Sequence, residues 1–156
     1  MKGRERMKRV LQIAIVALVL VAALLLAIPQ TKKEAPADPT LDCVSRFMKG
    51  WAINFVDDML SPCAPSWKAQ QSNPELQMFQ LMANRTAAAW NIGQPAKDGD
   101  VLIYPVDVLL RRNNVTQDGW QRFTLRVVTE NGEQYVIPDG IAACEPVKAP
   151  KNYVTP

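Results

Sequence analysis

The sequence predicts an α+β protein: a membrane-spanning helix near its start, then a small domain of two helices packed on a curved antiparallel sheet. Three observations carry this. Val10–Ile28 (VLQIAIVALVLVAALLLAI) is uncharged and apolar apart from Gln12. Residues 42–60 repeat large apolar side chains at three- and four-residue steps, as one face of a helix requires. From residue 100 onward the pattern turns to β-rich stretches separated by turn residues.

The apolar run, residues 10–28, is as long as a bilayer is thick. As a helix it reaches about 28 Å, against roughly 30 Å of hydrocarbon. Before it stand Lys2, Arg4, Arg6, Lys8 and Arg9 with one acid, Glu5; after it come two lysines and three acids in TKKEAPADPTLD. Basic flanks stay cytoplasmic, so residues 1–9 are expected inside, 10–28 against membrane lipid, and the remainder extracytoplasmic. The competing reading is a cleaved signal peptide, whose apolar core runs about 7–15 residues and ends near a small-x-small site. Here the run is longer and the best match, Ala35-Pro36-Ala37, lies well beyond it. An uncleaved anchor at the cell membrane is therefore expected. Leu41-Asp42-Cys43 also lacks the small residue that precedes a lipidated cysteine.

The net charge of +3 belongs to this basic start. Removing residues 1–9 leaves 13 bases against 14 acids, which offers no basic surface for nucleic acid.

Residues 29–40 (PQTKKEAPADPT) hold three prolines and no bulky apolar side chain, the composition of an extended linker. A domain is expected over 41–146, a length that supports one core. Its first helix, Asp42 to Leu60, buries Val44, Phe47, Met48, Trp51, Phe55, Val56, Met59 and Leu60, with Thr40 or Asp42 as its cap. Gly50 marks either a weak point or a place where another element packs closely. A second helix starts at Pro74 behind Ser72 or Asn73. It carries Leu76, Phe79, Leu81, Met82, Ala87 and Trp90, and ends near Gly93.

Strands follow over Asp100–Arg111, with Pro105 suggesting an edge strand or a bulge, and over Trp120–Thr129, with NNVTQDG as the turn between. In the second strand Gln121, Phe123, Leu125, Val127 and Thr129 form the better core face. Glu130-Asn131-Gly132-Glu133 signals a tight hairpin into Gln134–Ile137. Pro138-Asp139-Gly140 breaks that strand, Ile141–Cys144 resumes it, and residues 147–156 read as a loose tail.

Chemistry-bearing patterns are sparse. The chain has no histidine, so the commonest general base and metal ligand is missing. It has no Gly-rich phosphate loop, no Cys-x-x-Cys and no Gly-x-Ser-x-Gly. Asp57 and Asp58 are adjacent on a helix and point about 100° apart, too divergent for a catalytic dyad. Asp98, Asp100 and Asp107 lack the dense spacing of a calcium loop. No catalytic residue, cofactor or metal site is assigned, and a non-enzymatic role is expected.

The three cysteines meet a non-cytosolic environment if the domain lies outside. Cys43 and Cys63 bracket the first helix, about 27–30 Å apart if it is straight, and so cannot pair with each other. Cys63–Cys144 is the favoured disulfide; Cys43–Cys144, or three buried thiols, remain open. Arg111, Arg112, Arg122 and Arg126 gather on the solvent side of their strands and are the candidate partner contact. Asn84-Arg85-Thr86 and Asn114-Val115-Thr116 match the glycosylation acceptor pattern.

The layout resembles a known group. A basic start, one span, a Pro-rich linker and two helices before a curved sheet, with an aromatic first helix (FMKGWAINFVDDMLS), is similar to bitopic membrane subunits. The outer domain of those subunits has the cone-shaped fold of nuclear transport factor two. Such subunits occur among assembly components of conjugation and type IV secretion machines. The resemblance implies a structural or assembly part of a cell-envelope complex, working through protein partners or as a homo-oligomer. It brings no catalytic residue with it. The alternative is a membrane-anchored ligand-binding or sensing module that uses a pocket between sheet and first helix.

Overall fold

The computed structural model describes residues 38–82, 85–112 and 116–156. The basic start, the predicted span, nearly all of the linker, and the acceptor asparagines Asn84 and Asn114 lie outside the described residues. Among the described residues no helix is long and apolar enough to cross a membrane.

The domain is α+β, with a curled antiparallel sheet in the form of a half-barrel. Its first helix, α1 (Pro39–Ile53), starts one turn earlier than the sequence suggests. Asp38 caps it, accepting hydrogen bonds from the Thr40 amide (3.0 Å) and hydroxyl (2.7 Å), while Pro39 takes the first helical position. Those two bonds hold the Asp38 carboxyl below its usual range. Cys43, Val44, Phe47, Met48 and Trp51 form the buried stripe.

The long first helix of the sequence reading is in fact two. Asn54 adopts a left-handed conformation (φ 57°, ψ 41°), and the Phe55 amide closes back onto the Gly50 carbonyl at 3.0 Å. The chain then reverses into α2 (Val56–Leu60). A Cβ on Gly50 would lie 2.7 Å from the Met59 nitrogen and 2.8 Å from the Asp58 carbonyl carbon, so of the two readings of Gly50 the close approach holds. A further short helix that the sequence did not suggest, α3 (Pro65–Gln70), buries Trp67. The Ser66 amide and hydroxyl both reach the Glu130 carboxylate.

Helix α4 spans only Pro74–Met82. Its inward residues are Met78 and Met82, which leaves Leu76 and Phe79 exposed. The expected continuation to Gly93 is instead strand β1 (Arg85–Ile92). A register shift between Ala87 and Ala89 puts Ala87, Trp90 and Ile92 against the core. The resulting step of three imitates a helical period, and pairing with a longer strand overrides the alanines' helix preference.

Strand β2 (Ala96–Asp98) follows, then the long pair β3 (Val101–Arg112) and β4 (Thr116–Glu130), then β5 (Glu133–Ile137). The sheet order is β1-β3-β4-β5, with β2 also on β3 and the short β6 (Glu145–Pro146) also on β4. Strand β3 is thus central, not an edge, and Pro105 is accommodated by a gap. Strand β1 stops pairing at Ile92, opposite Val106, and β2 starts at Ala96, opposite Ile103. Between them the Pro105 carbonyl accepts from the Gly93 amide (2.8 Å), so the side of β3 on which proline lacks a donor faces a loop. The supposed turn NNVTQDG contains the start of β4, whose register against β3 shifts between Leu109 and Arg111. The Asn131-Gly132 hairpin turn forms as expected, both residues at positive φ (53° and 84°).

Tyr104, Val106, Val108 and Leu110 of β3, Phe123, Leu125 and Val127 of β4, and Val136 of β5 pack with the α1 stripe in one core. The expected inner face of β4 is the observed one. Ile141–Cys144 does not resume a strand: Pro138–Ala143 is a 3-10 helix, and β6 comes after it. Gly140 permits that helix to sit on β4, because a Cβ there would meet the Thr124 carbonyl oxygen at 2.3 Å. Residues 147–156 are not loose. Val154 pairs with Trp90 through both backbone bonds (2.9 and 2.7 Å), and the rings of Tyr153 and Trp120 are 5.3 Å apart.

Trp51 joins helix, sheet and β1. It is 2% exposed, its indole N–H donates to the Arg85 carbonyl (3.0 Å), and its ring lies 5.7 Å from that of Phe123. Trp51→Ala is expected to destabilise the domain by about 3–5 kcal/mol, the usual cost of truncating a buried aromatic. The measurement is a urea melt of a fragment that begins at Ala37, ahead of the Asp38 cap. A loss below about 1 kcal/mol would place Trp51 outside the core.

Candidate partner-contact surfaces

Arg122 and Arg126 alternate with the buried Phe123, Leu125 and Val127 of β4 and so stand on the outer face of the sheet. Asp107 and Arg122 face each other in the β3–β4 register. Their side chains form a bidentate pair, Nε to Oδ1 at 2.7 Å and Nη2 to Oδ2 at 3.0 Å. The Asp107 side chain is 9% exposed and that of Arg122 is 47%. This bonding pushes the Arg122 guanidinium further above its ordinary value. Glu145 of β6 stands opposite Arg122 on the other side of β4. Arg126 bonds Asp139 at 2.8 Å, with both side chains nearly half exposed. Arg111 and Arg112 are exposed at the far end of β3, opposite Thr86 and Arg85 of β1.

The four arginines predicted as one contact therefore do not act alike. Arg122 is engaged with a nearly buried carboxylate, Arg126 holds the 3-10 helix, and Arg111 and Arg112 present their charge to solvent. The sequence did not single out Asp107 as a partner of Arg122, although one sits in each strand of a hairpin.

Apolar side chains are exposed elsewhere. Ile53 (60%) and Phe55 (50%) flank the Asn54 reversal, and Leu76 (52%) and Phe79 (58%) lie on α4. Helix α2, directly after Phe55, packs against α4, so both exposed pairs belong to neighbouring helical elements. The sequence reading assigned Phe55, Leu76 and Phe79 to the core because it took both helices as longer and straighter than they are.

A cleft of about 630 Å³ lies at the end of the sheet near the start of α1. Thr40, Lys97, Asp100, Leu102, Val127 and Gln134 contribute to its walls. Nearby, the Thr40 hydroxyl contacts the Tyr104 phenol, whose pKa is raised chiefly by burial.

Cys43, Cys63 and Cys144 stand as free thiols in this structure, the first two buried and the third half-buried. The Cys63 thiol donates to the Met59 carbonyl (3.1 Å) and that of Cys43 to the Thr40 carbonyl (3.1 Å). The premise that kept Cys43 and Cys63 apart fails with the helix break, because the reversal brings both into the same core cluster. Burial raises Cys43 from 9.0 to about 11 and Cys63 to about 12, so both stay protonated and weakly nucleophilic near neutrality. Among the described residues no group of three or more acids or cysteines is placed to hold a metal ion.

No protein-family model, no curated protein and no solved structure matches this chain.

Two outcomes follow from this geometry. Arg122→Glu is expected to cost about 1–3 kcal/mol in denaturant melts, because it sets a second carboxylate against Asp107. Arg126→Glu, at an exposed pair, should cost less than about 1 kcal/mol; equal losses would contradict the difference in burial. Thiol labelling of the folded protein should modify the half-buried Cys144 first, and Cys43 and Cys63 only on unfolding. The unfolded chain ionises its cysteines first, near pH 9, while Cys43 and Cys63 hold their protons to about 11 and 12. Stability should therefore fall as pH rises through that window.

Proposed function

We propose that this protein is a non-enzymatic, membrane-anchored component of a cell-envelope assembly that works by protein contact. Residues 10–28 anchor it and residues 1–9 remain cytoplasmic. The observation that carries this reading is the exposed apolar set at the helical side, Ile53, Phe55, Leu76 and Phe79. Four large apolar side chains, each at least half exposed, mark a surface suited to a protein partner. Three further large apolar side chains, Leu41, Tyr153 and Val154, are exposed elsewhere among the described residues.

Two further features support contact over chemistry. Cys43 and Cys63 are buried and held protonated, and Asp107 is satisfied by Arg122. The ligand-binding alternative needs a deep apolar pocket with few polar groups, whereas the cleft at the sheet end is open and partly walled by Thr40, Lys97, Asp100 and Gln134. A helix laid into a curled antiparallel half-barrel is also compatible with the cone-shaped fold of nuclear transport factor two. Conjugation or type IV secretion assembly is the setting that this likeness suggests.

A photo-crosslinking residue placed at Phe55 or Phe79 of the full chain, in wall-stripped cells, tests both contact and topology. Protein adducts should form there and not from Lys97 in the cleft, and external protease should remove an epitope placed after Pro156. Adducts to lipid alone would overturn the contact reading. An epitope protected until the membrane is permeabilised would overturn the orientation.

A further inference from the structure

The two outer edges of the sheet are closed in different ways. At β5, Val136 pairs in parallel with Cys63, with bonds from the Ala64 amide to the Val136 carbonyl (2.9 Å) and from the Val136 amide to the Pro62 carbonyl (2.8 Å). Those residues are buried and continuous with α2 and α3. At β1 the edge is met at its start by the Trp51 indole on the Arg85 carbonyl and further along by Val154, itself 54% exposed beside a 55% exposed Tyr153.

The path that delivers Val154 is short. The Val147 amide is held on the Trp120 carbonyl (2.9 Å), beyond the β4 side of the sheet, and Val154 is held beyond β1. The segment between them crosses the outer face, where Tyr153 meets Trp120. Passing β4, β3 and β1 takes four strand spacings, about 19 Å at about 4.8 Å each. Seven residue steps reach only about 23 Å at full extension. Pro146 and Pro150 suit an extended path but add no length. A short, nearly taut connection ending in an exposed edge strand is the arrangement that favours exchange between copies, because the same bonds form in trans without the constraint.

We propose that the outer edge of β1, together with Trp120 two strands away on β4, is a docking site for an extended segment, and that its occupant in the assembled protein is residues 147–156 of a second copy. The exchange is reciprocal: each copy gives its Tyr153-Val154 to the other's Trp120 and Trp90. The second copy is the occupant because the site is already seen filled by this segment, and every copy carries it. This surface is separate from the apolar set at the helical side, so each can fail without the other.

The test has two arms. In the first, the full chain lacking residues 150–156 is titrated in detergent with a labelled peptide of residues 147–156, followed by anisotropy. Saturable binding is expected, with a Val154→Pro peptide about tenfold weaker, because proline removes the amide that bonds the Trp90 carbonyl. No binding to a shortened chain whose circular dichroism is unchanged would overturn the docking site. In the second arm, two differently tagged copies of the full chain are co-expressed and one is captured. Co-capture should fall severalfold when both carry Tyr153→Ala and Val154→Pro. Undiminished co-capture, or none with the unaltered chain, would overturn exchange and leave the segment a contact within one copy. This arm needs no shortened chain, so it decides the question even if the truncation fails to fold.

Discussion

The reversal at Asn54 is the constraint on which the rest of the domain depends. Helix α1 lies along the inner face of the sheet, and the chain must turn back without lifting it. It does so in a left-handed residue and returns so close that Gly50 has no room for a side chain beside Met59 and Asp58. Three consequences follow in order along the chain. Cys63 and Ala64 arrive beside Val136 and close the β5 edge. Helix α4 finds α2 to pack on and buries Met78 and Met82 in the core. The chain then enters β1 beneath Trp51, whose indole bonds the Arg85 carbonyl.

What was legible in the sequence follows from how far each signal is local. The α1 stripe, the inner face of β4 and the Asn131-Gly132 turn are encoded within a few residues, and each stands where the pattern put it. Signals that depend on a distant partner misled. Ala87 and Trp90 are three apart because of a bulge, and three apart also describes a helix. Pro105 denies a donor to one neighbour, and only the fold shows that β1 and β2 leave a gap there. Phe55 and Phe79 have core chemistry but exposed positions, which no local pattern distinguishes from burial.

The arginines illustrate the same limit for function. Spacing places Arg122 and Arg126 on the outer face correctly, yet the charge each offers a partner depends on what stands opposite. Asp107 takes the Nε donor and one Nη2 donor of Arg122, and it can lie nearly buried only because that guanidinium is there. Loss of either partner strands the other. The pair thus fixes the β3–β4 register at one point on a face where apolar packing does not. The solvent-facing charge that remains is at Arg111 and Arg112, at the opposite end of β3 from the cleft.

The unequal closure of the two sheet edges gives the domain a direction. An open antiparallel sheet exposes unpaired backbone groups at both sides, and each must be covered or become a place of association. At β5 the cover is part of the core and cannot leave without exposing Cys63, Val136 and Trp67. At β1 the cover is one residue pair at the end of a taut strap, and its departure uncovers only that edge and the Trp120 ring. The cover at β5 therefore stays through any opening short of unfolding, while the β1 edge opens at the expense of two backbone bonds and one ring contact.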